Sequence, residues 1–85
     1  MEIRKARGKI DAIDAEIVRL FRNRFSVANE IGLLKKNKSL SVEDSVRDGE
    51  VLEKYKENAD GSLDEEFLEE LVELILKYSK MEQGK

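Results

Sequence analysis

The 85-residue chain contains no cysteine, histidine, tryptophan or proline. Each absence removes a class of chemistry. Without cysteine there is no disulfide scaffold, no thiolate nucleophile and no cysteine-based zinc site. Without histidine the commonest general base and metal ligand is missing. Without proline nothing in the sequence forces a helix to stop. Aromatic residues are only 6% of the chain, and no stretch approaches the roughly 18 consecutive apolar residues of a membrane-spanning helix. The first residues lack an apolar signal core, so the sequence reads as soluble and cytoplasmic, with no membrane partner.

What remains is charge and aliphatic side chains. At 41% charged and 40% hydrophobic residues the composition suits long amphipathic helices, and the length allows one small domain. Sixteen Lys and Arg against nineteen Asp and Glu leave a net charge of −3, so nucleic acid is not the expected partner of the whole chain. The charge is segregated. Residues 1–40 carry ten basic and five acidic side chains, residues 41–85 six and fourteen, and five of the six arginines fall within the first 24 residues. Two halves that attract each other, each with a solvated charged face, are the simplest reading.

The hydrophobic pattern divides the chain into three helices. Ile3, Ala6, Ile10, Ile13, Ile17, Leu20, Arg24, Val27, Ile31 and Leu34 recur in steps of three and four, the seam of a core-facing or coiled-coil helix over about 2–37. Phe21 and Ala28 widen the stripe, while Gly8 and Gly32 weaken the helix by about 1 kcal/mol each relative to alanine. Polar residues 37–44 predict a loop. A second helix follows over about 45–58, capped by Asp44 or Ser45, with Val51, Leu52 and Tyr55 inward and Gly49 an unexplained weak point. Asp60-Gly61 predicts a turn, and Ser62 with Glu65 reads as a capping box opening a third helix over about 63–83. Its apolar residues are Phe67, Leu68, Leu71, Val72, Ile75 and Tyr78. The expected fold is all-α.

Length then becomes a constraint. A helix over 2–37 spans about 54 Å, whereas a compact 85-residue globule has a radius of gyration of about 12 Å. Its apolar stripe continues to both ends, and two shorter helices of about 20 and 30 Å do not cover it. A second copy that packs first helices side by side solves the problem, so the expected assembly is an obligate homodimer.

Several residues do not fit a purely structural pattern. Arg24 occupies a seam position, where a buried guanidinium is costly unless it meets an anion. That anion is either a carboxylate such as Glu16 or Glu30 of a partner, fixing register as polar seam residues do, or a ligand. Arg7 and Lys35 flank the seam and in isolation read as solvated. Arg7 lies about 25 Å from Arg24 along the helix and about 42 Å from Lys35, too far for one small ligand on one chain. In an antiparallel helix pair, Arg7 of one subunit approaches the middle of the other. Asp44, Arg47 and Asp48 read as a cap and surface charge, and Ser79 and Gln83 share a face at i, i+4.

Taken in order, Arg7-x2-Ile10-x2-Ile13-Asp14, then Arg24, Lys35, Asp44-x2-Arg47-Asp48 and Ser79-x3-Gln83 closely resemble the all-α class of chorismate mutases over about residues 4–83. The resemblance implies two intertwined subunits, each of one long and two shorter helices, with two equivalent sites inside the bundle. It implies conversion of chorismate to prephenate, an intramolecular Claisen rearrangement of a dicarboxylate that needs no metal, cofactor, nucleophile or proton transfer. Catalysis then rests on holding the flexible ether folded and stabilising charge as its C–O bond breaks.

The resemblance also assigns roles. Arg24, with Arg7 from the other subunit, grips a substrate carboxylate through guanidinium forks. Arg47 adds positive charge. Lys35 and Gln83 donate to the ether oxygen, Ser79 contacts a carboxylate, and Asp48 accepts from the ring hydroxyl with Asp44 beside it. Two features depart from the family pattern. The hydroxyl-binding position, usually Glu, is here Asp48, one methylene shorter, and Gln83 lies in the last turn of its helix, where helices fray. An isochorismate pyruvate lyase on the same fold and a non-enzymatic helical dimerisation module are the competing expectations. A nucleic-acid-binding basic arm is opposed by the acidic second half.

Overall fold

In a computed structural model, which describes residues 2–85, the chain forms three α-helices and, among the described residues, no strand. Helix α1 runs Ile3–Asn37, α2 Ser45–Ala59 and α3 Glu65–Gln83. No helix among the described residues is long and apolar enough to cross a membrane.

Local chemistry explains each boundary. With no proline available, α1 stops through its backbone. Ser39 turns left-handed at φ 57°, Ser39 N–H donates to the Lys36 carbonyl at 3.1 Å, and Leu40 N–H donates to the Lys35 carbonyl at 2.8 Å. This is the paired closure of a Schellman ending, with serine where glycine is usual. Asp44 caps α2 by accepting from Arg47 N–H at 3.0 Å, and α2 ends where Asp60 and Gly61 both adopt positive φ, 47° and 76°. The turn expected at Asp60-Gly61 is therefore present.

The start of α3 differs from the expected capping box. Asp64 is the cap, accepting from Phe67 N–H at 2.9 Å, while the Ser62 hydroxyl donates to the Ala59 carbonyl at 2.5 Å and closes the preceding turn. Asp64 stands three residues before the amide it satisfies, the reach a short capping side chain needs, whereas Ser62 is consumed by the turn.

Helix α3 is the common platform. It packs against α1 and against α2, and α1 and α2 do not pack on each other. Buried contacts are few: Ala28 from α1, Val51 from α2, and Leu68, Val72 and Ile75 from α3, with no large side chain wholly buried. Leu52 and Tyr55 are half-buried beside Val51, in keeping with the inward face expected of α2.

Helix α1 meets α3 along an edge of its stripe rather than along the seam itself. Phe21, Phe25, Ala28, Gly32 and Lys35, in steps of four and three, carry most of its buried and half-buried positions, with Arg24 and Asn29 half-buried beside them. The neighbouring seam lies open, with Ile10 55%, Ile13 57% and Leu34 59% exposed. The 35-residue α1 is about 52 Å long. It sets a shape of 55 × 25 × 15 Å, with a radius of gyration of 15.9 Å against about 12 Å for a compact chain of this length. The overshoot inferred from length is thus a property of the folded protomer.

Gly49 sits inside α2, and a β-carbon built on it meets nothing within 4 Å. Replacing it by alanine removes backbone entropy from the unfolded chain without a steric cost. Gly49→Ala is expected to raise stability by about 0.5–1 kcal/mol, read as a higher urea midpoint at fixed protein concentration with an unchanged slope.

Candidate active site

Because α1 and α2 stand apart on α3, a cleft of about 560 Å³ opens between them. Helix α1 supplies Arg24, Ala28, Ile31 and Lys35, the α1–α2 loop Val42 and the cap Asp44, α2 Arg47, Asp48 and Val51, and α3 Leu76, Ser79, Lys80 and Gln83. Four cationic groups face two carboxylates. The excess of two positive charges, above an apolar floor, suits a small dianion.

One polar pair in the cleft is Lys35 and Gln83. Lys35 is half-buried, and its ammonium donates to the Gln83 Oε1 at 2.8 Å and to the Val42 carbonyl at 3.2 Å. An ammonium has three protons, so one remains for a ligand. Since the Gln83 oxygen faces Lys35, its amide NH₂ is left as the donor end. Two donors therefore converge on the cleft from α1 and α3.

Arg24 is resolved by a hydroxyl. Its Nη1 donates to Ser79 Oγ at 2.5 Å, and buried Ser79 donates in turn to the Ile75 carbonyl at 2.7 Å. Among the described residues no carboxylate forms an ion pair with Arg24. Glu16, one of the carboxylates considered for it, is engaged by Arg19 three residues away, and that bond lowers the Glu16 pKa from its ordinary value. Ser79 thus uses its proton on the helix backbone and its lone pair on Arg24. Its first effect is to hold the guanidinium.

Gln83 does not stand in a frayed turn. Asn29 Nδ2 donates to the Glu82 carbonyl at 3.2 Å, Lys36 Nζ to the Lys85 carbonyl at 2.7 Å, and Gly84 N–H to the Lys80 carbonyl at 3.0 Å. The first two bonds tie the end of α3 to α1, and the third closes the helix on itself. Gly32, read from sequence as a weak point, is what permits the approach: a β-carbon there would lie 2.5 Å from the Gln83 Cα. Only glycine fits.

The remaining sequence-derived residues divide. Asp44 and Arg47 line the cleft, Asp44 with its carboxylate committed to capping α2. Arg47 is exposed, its Nη1 3.8 Å from Glu50 Oε1, a pairing that contributes little to stability. Asp48 is present but already bound, its Oδ2 accepting from Lys80 Nζ at 2.7 Å. Arg7 is exposed on the projecting half of α1 and does not line the cleft. Sequence reasoning missed Lys80, Gly32 and Asn29. Lys80 was findable, since it lies at i, i+3 to Gln83 and next to Ser79 on the same helix.

The folded chain is thus an all-α platform that gathers cations and the Gln83 amide around one cleft. Residues 6–84 match the chorismate mutase type II family, and the chain belongs to that family. No curated protein and no solved structure was found to match the chain.

Two measurements test this geometry. In Gly32→Ala the new methyl overlaps the Gln83 backbone, so strain of about 1–3 kcal/mol outweighs the helix-propensity gain of about 1 kcal/mol. A net loss of up to about 2 kcal/mol in urea unfolding is expected, opposite in sign to the same exchange at Gly49. Second, Lys80 has its pKa raised above 10.5 by its bond to Asp48 and then that to Glu43. A raised folded-state pKa contributes stability that is fully present below the unfolded lysine value and lost as pH climbs through the folded one. The melting temperature is expected to fall at alkaline pH, above about 10.5, more steeply in the unmodified chain than in Lys80→Met.

Proposed function

We propose that the protein is an enzyme that isomerises chorismate to prephenate, acting as a homodimer in which each cleft is completed by the partner's first helix. The observation that carries the reading is the convergence of the Lys35 ammonium and the Gln83 amide, beside Arg24, in a cleft with a cationic excess. Chorismate carries two carboxylates and rearranges without an external nucleophile. The protein's work is to fold the enolpyruvyl ether over the ring and to stabilise the charge that develops on the ether oxygen.

In this reading Lys35 Nζ and Gln83 Nε2 donate to that oxygen, where negative charge grows as the C–O bond lengthens. Both donors are held before substrate arrives, so little reorganisation accompanies the reaction. Arg24, braced by Ser79, receives one carboxylate in a bidentate fork, and Arg7 of the second subunit closes the same end. Arg47 supplies further positive potential at the mouth, and Asp48 accepts from the ring hydroxyl. The side chains bury the reacting centre against Ile31, Val51 and Leu76, where each donor acts more strongly than in water.

The open seam of α1 supports the dimer. Ile3, Ile10, Ile13, Ile17, Leu20, Val27, Ile31 and Leu34 are all exposed in the protomer and form one apolar stripe, far more than isolated surface aliphatics. An antiparallel partner helix buries this stripe and carries Arg7 across the gap of about 25 Å that separates it from Arg24 within one chain.

Formation of prephenate from chorismate by the purified chain, with sedimentation on the same sample, is the primary test, and isochorismate in the same assay separates mutase from lyase. Lys35→Ala is expected to lower kcat by at least about 1,000-fold, since both a charge and the group that orients Gln83 are lost. Arg7→Ala and Lys35→Ala chains, each inactive alone, are expected on mixing to recover about one quarter of unmodified activity. Random exchange makes half the dimers hybrid, each with one intact site. Verified exchange without recovery would refute the shared site.

A further inference from the structure

We propose that Lys80 is a positioning residue which holds the Asp48 carboxylate in place and cancels its charge, so that the cleft keeps its attraction for a dicarboxylate. The proposal deepens the reading above and rests on it. Asp48 lies in the same cleft as the four cationic groups, half-buried, where a bare carboxylate would repel an incoming dianion. Lys80 Nζ reaches its Oδ2 at 2.7 Å, and both side chains are mostly shielded, at 24% and 28% exposure. The second partner, Glu43 at 3.0 Å, is 73% exposed and anchors the ammonium weakly.

The geometry assigns Lys80 more than a surface bond. It joins α3 to the first turn of α2, the wall of the cleft that has no packing contact with α1. It also occupies one oxygen of Asp48 and leaves Oδ1, which accepts no hydrogen bond among the described residues, as the acceptor. A short carboxylate with less reach than glutamate gains from such an anchor, because the remaining lone pairs are then aimed before the hydroxyl arrives. Ser79 and Gln83 flank Lys80 on the cleft side of α3, so the ammonium is placed by the same helix that places the site.

The test is a double-substitution cycle on prephenate formation by the full chain, with Lys80→Met, Lys80→Arg, Asp48→Asn and the Lys80→Met/Asp48→Asn pair. Lys80→Met is expected to raise KM about tenfold while kcat stays within about threefold, the pattern of lost ground-state binding. Lys80→Arg restores KM to within about threefold, since it keeps charge and donors. In the Asp48→Asn background, Lys80→Met is expected to change KM by less than about twofold, because a residue that acts through Asp48 has nothing left to act on. An equal tenfold rise in both backgrounds overturns the proposal and makes Lys80 a direct substrate ligand. A lowered melting temperature with unchanged KM also overturns it, leaving a purely structural staple. If Lys80→Met does not fold, Lys80→Gln gives the same comparison. Failure of the unmodified chain to form prephenate overturns the underlying reading, and is distinguished from failure of the proposal alone, in which the unmodified chain is active and the cycle shows no coupling.

Discussion

The tight backbone approach of α3 to α1 at Gly32 is the constraint from which the site follows. It brings the last turn of α3 against α1 with no room for a side chain between them. Ala28, one turn earlier, is buried in the same contact. Once the helices lie this close, Asn29 reaches the Glu82 carbonyl, Lys35 reaches Gln83, and Arg24 reaches Ser79. Wider spacing would take Ser79 from Arg24 and Gln83 from Lys35, and a half-buried cation that loses a partner costs more than the small residues forgo in apolar contact. A glycine that looks like weakness along one helix is therefore what lets two helices form a site.

Helix α1 serves two surfaces. One edge, from Phe21 through Lys35, packs on α3, and the Ile-rich seam beside it has no cover within the protomer. The protomer core is correspondingly thin, limited to Ala28, Val51, Leu68, Val72 and Ile75 among apolar side chains. A chain of this size buries too small a fraction of its surface to be comfortable alone, and a long apolar stripe left in water compounds the deficit. Stability and the completion of the proposed site then have a common origin, because the helix that would cover the seam also carries Arg7.

Charge is organised at two scales. Along the sequence the basic first half and acidic second half place cations on α1 and most carboxylates on α2 and α3. Within the cleft the balance is local: Asp44 is absorbed by the α2 amides, Asp48 by Lys80, and Arg24 by a neutral hydroxyl. The carboxylates are neutralised by the protein, whereas Arg24 and Lys35 bond only to neutral oxygens. That asymmetry keeps the cleft receptive to an anion in a chain whose net charge is negative.

The three helices were legible because periodicity and capping act within a few residues of sequence. Ile3 to Leu34 keeps one heptad-like rhythm, Asp44 caps as a short carboxylate should, and Asp60-Gly61 turns the chain. The misplaced cap at Ser62 shows the limit of such rules, since two candidate side chains two residues apart compete for one helix start and the turn before it decides between them. The length of α1 was also a sequence property, and with it the excess of apolar surface. Of the candidate site residues only Arg24 interrupts an otherwise regular pattern. Arg7, Lys35, Asp44, Arg47, Asp48, Ser79 and Gln83 each read as routine alone and stood out only through their order along the chain and the family resemblance it carries. What the sequence did not contain was which groups satisfy one another. Arg24 bonds to Ser79, 55 positions away, Lys35 to Gln83, 48 away, and Lys80 to Asp48, 32 away. Local composition therefore determined the helices and the inventory of charges, while only the helix packing decided the pairings, because a hydrogen bond acts over about 3 Å and that distance between remote residues exists only once the backbones have met.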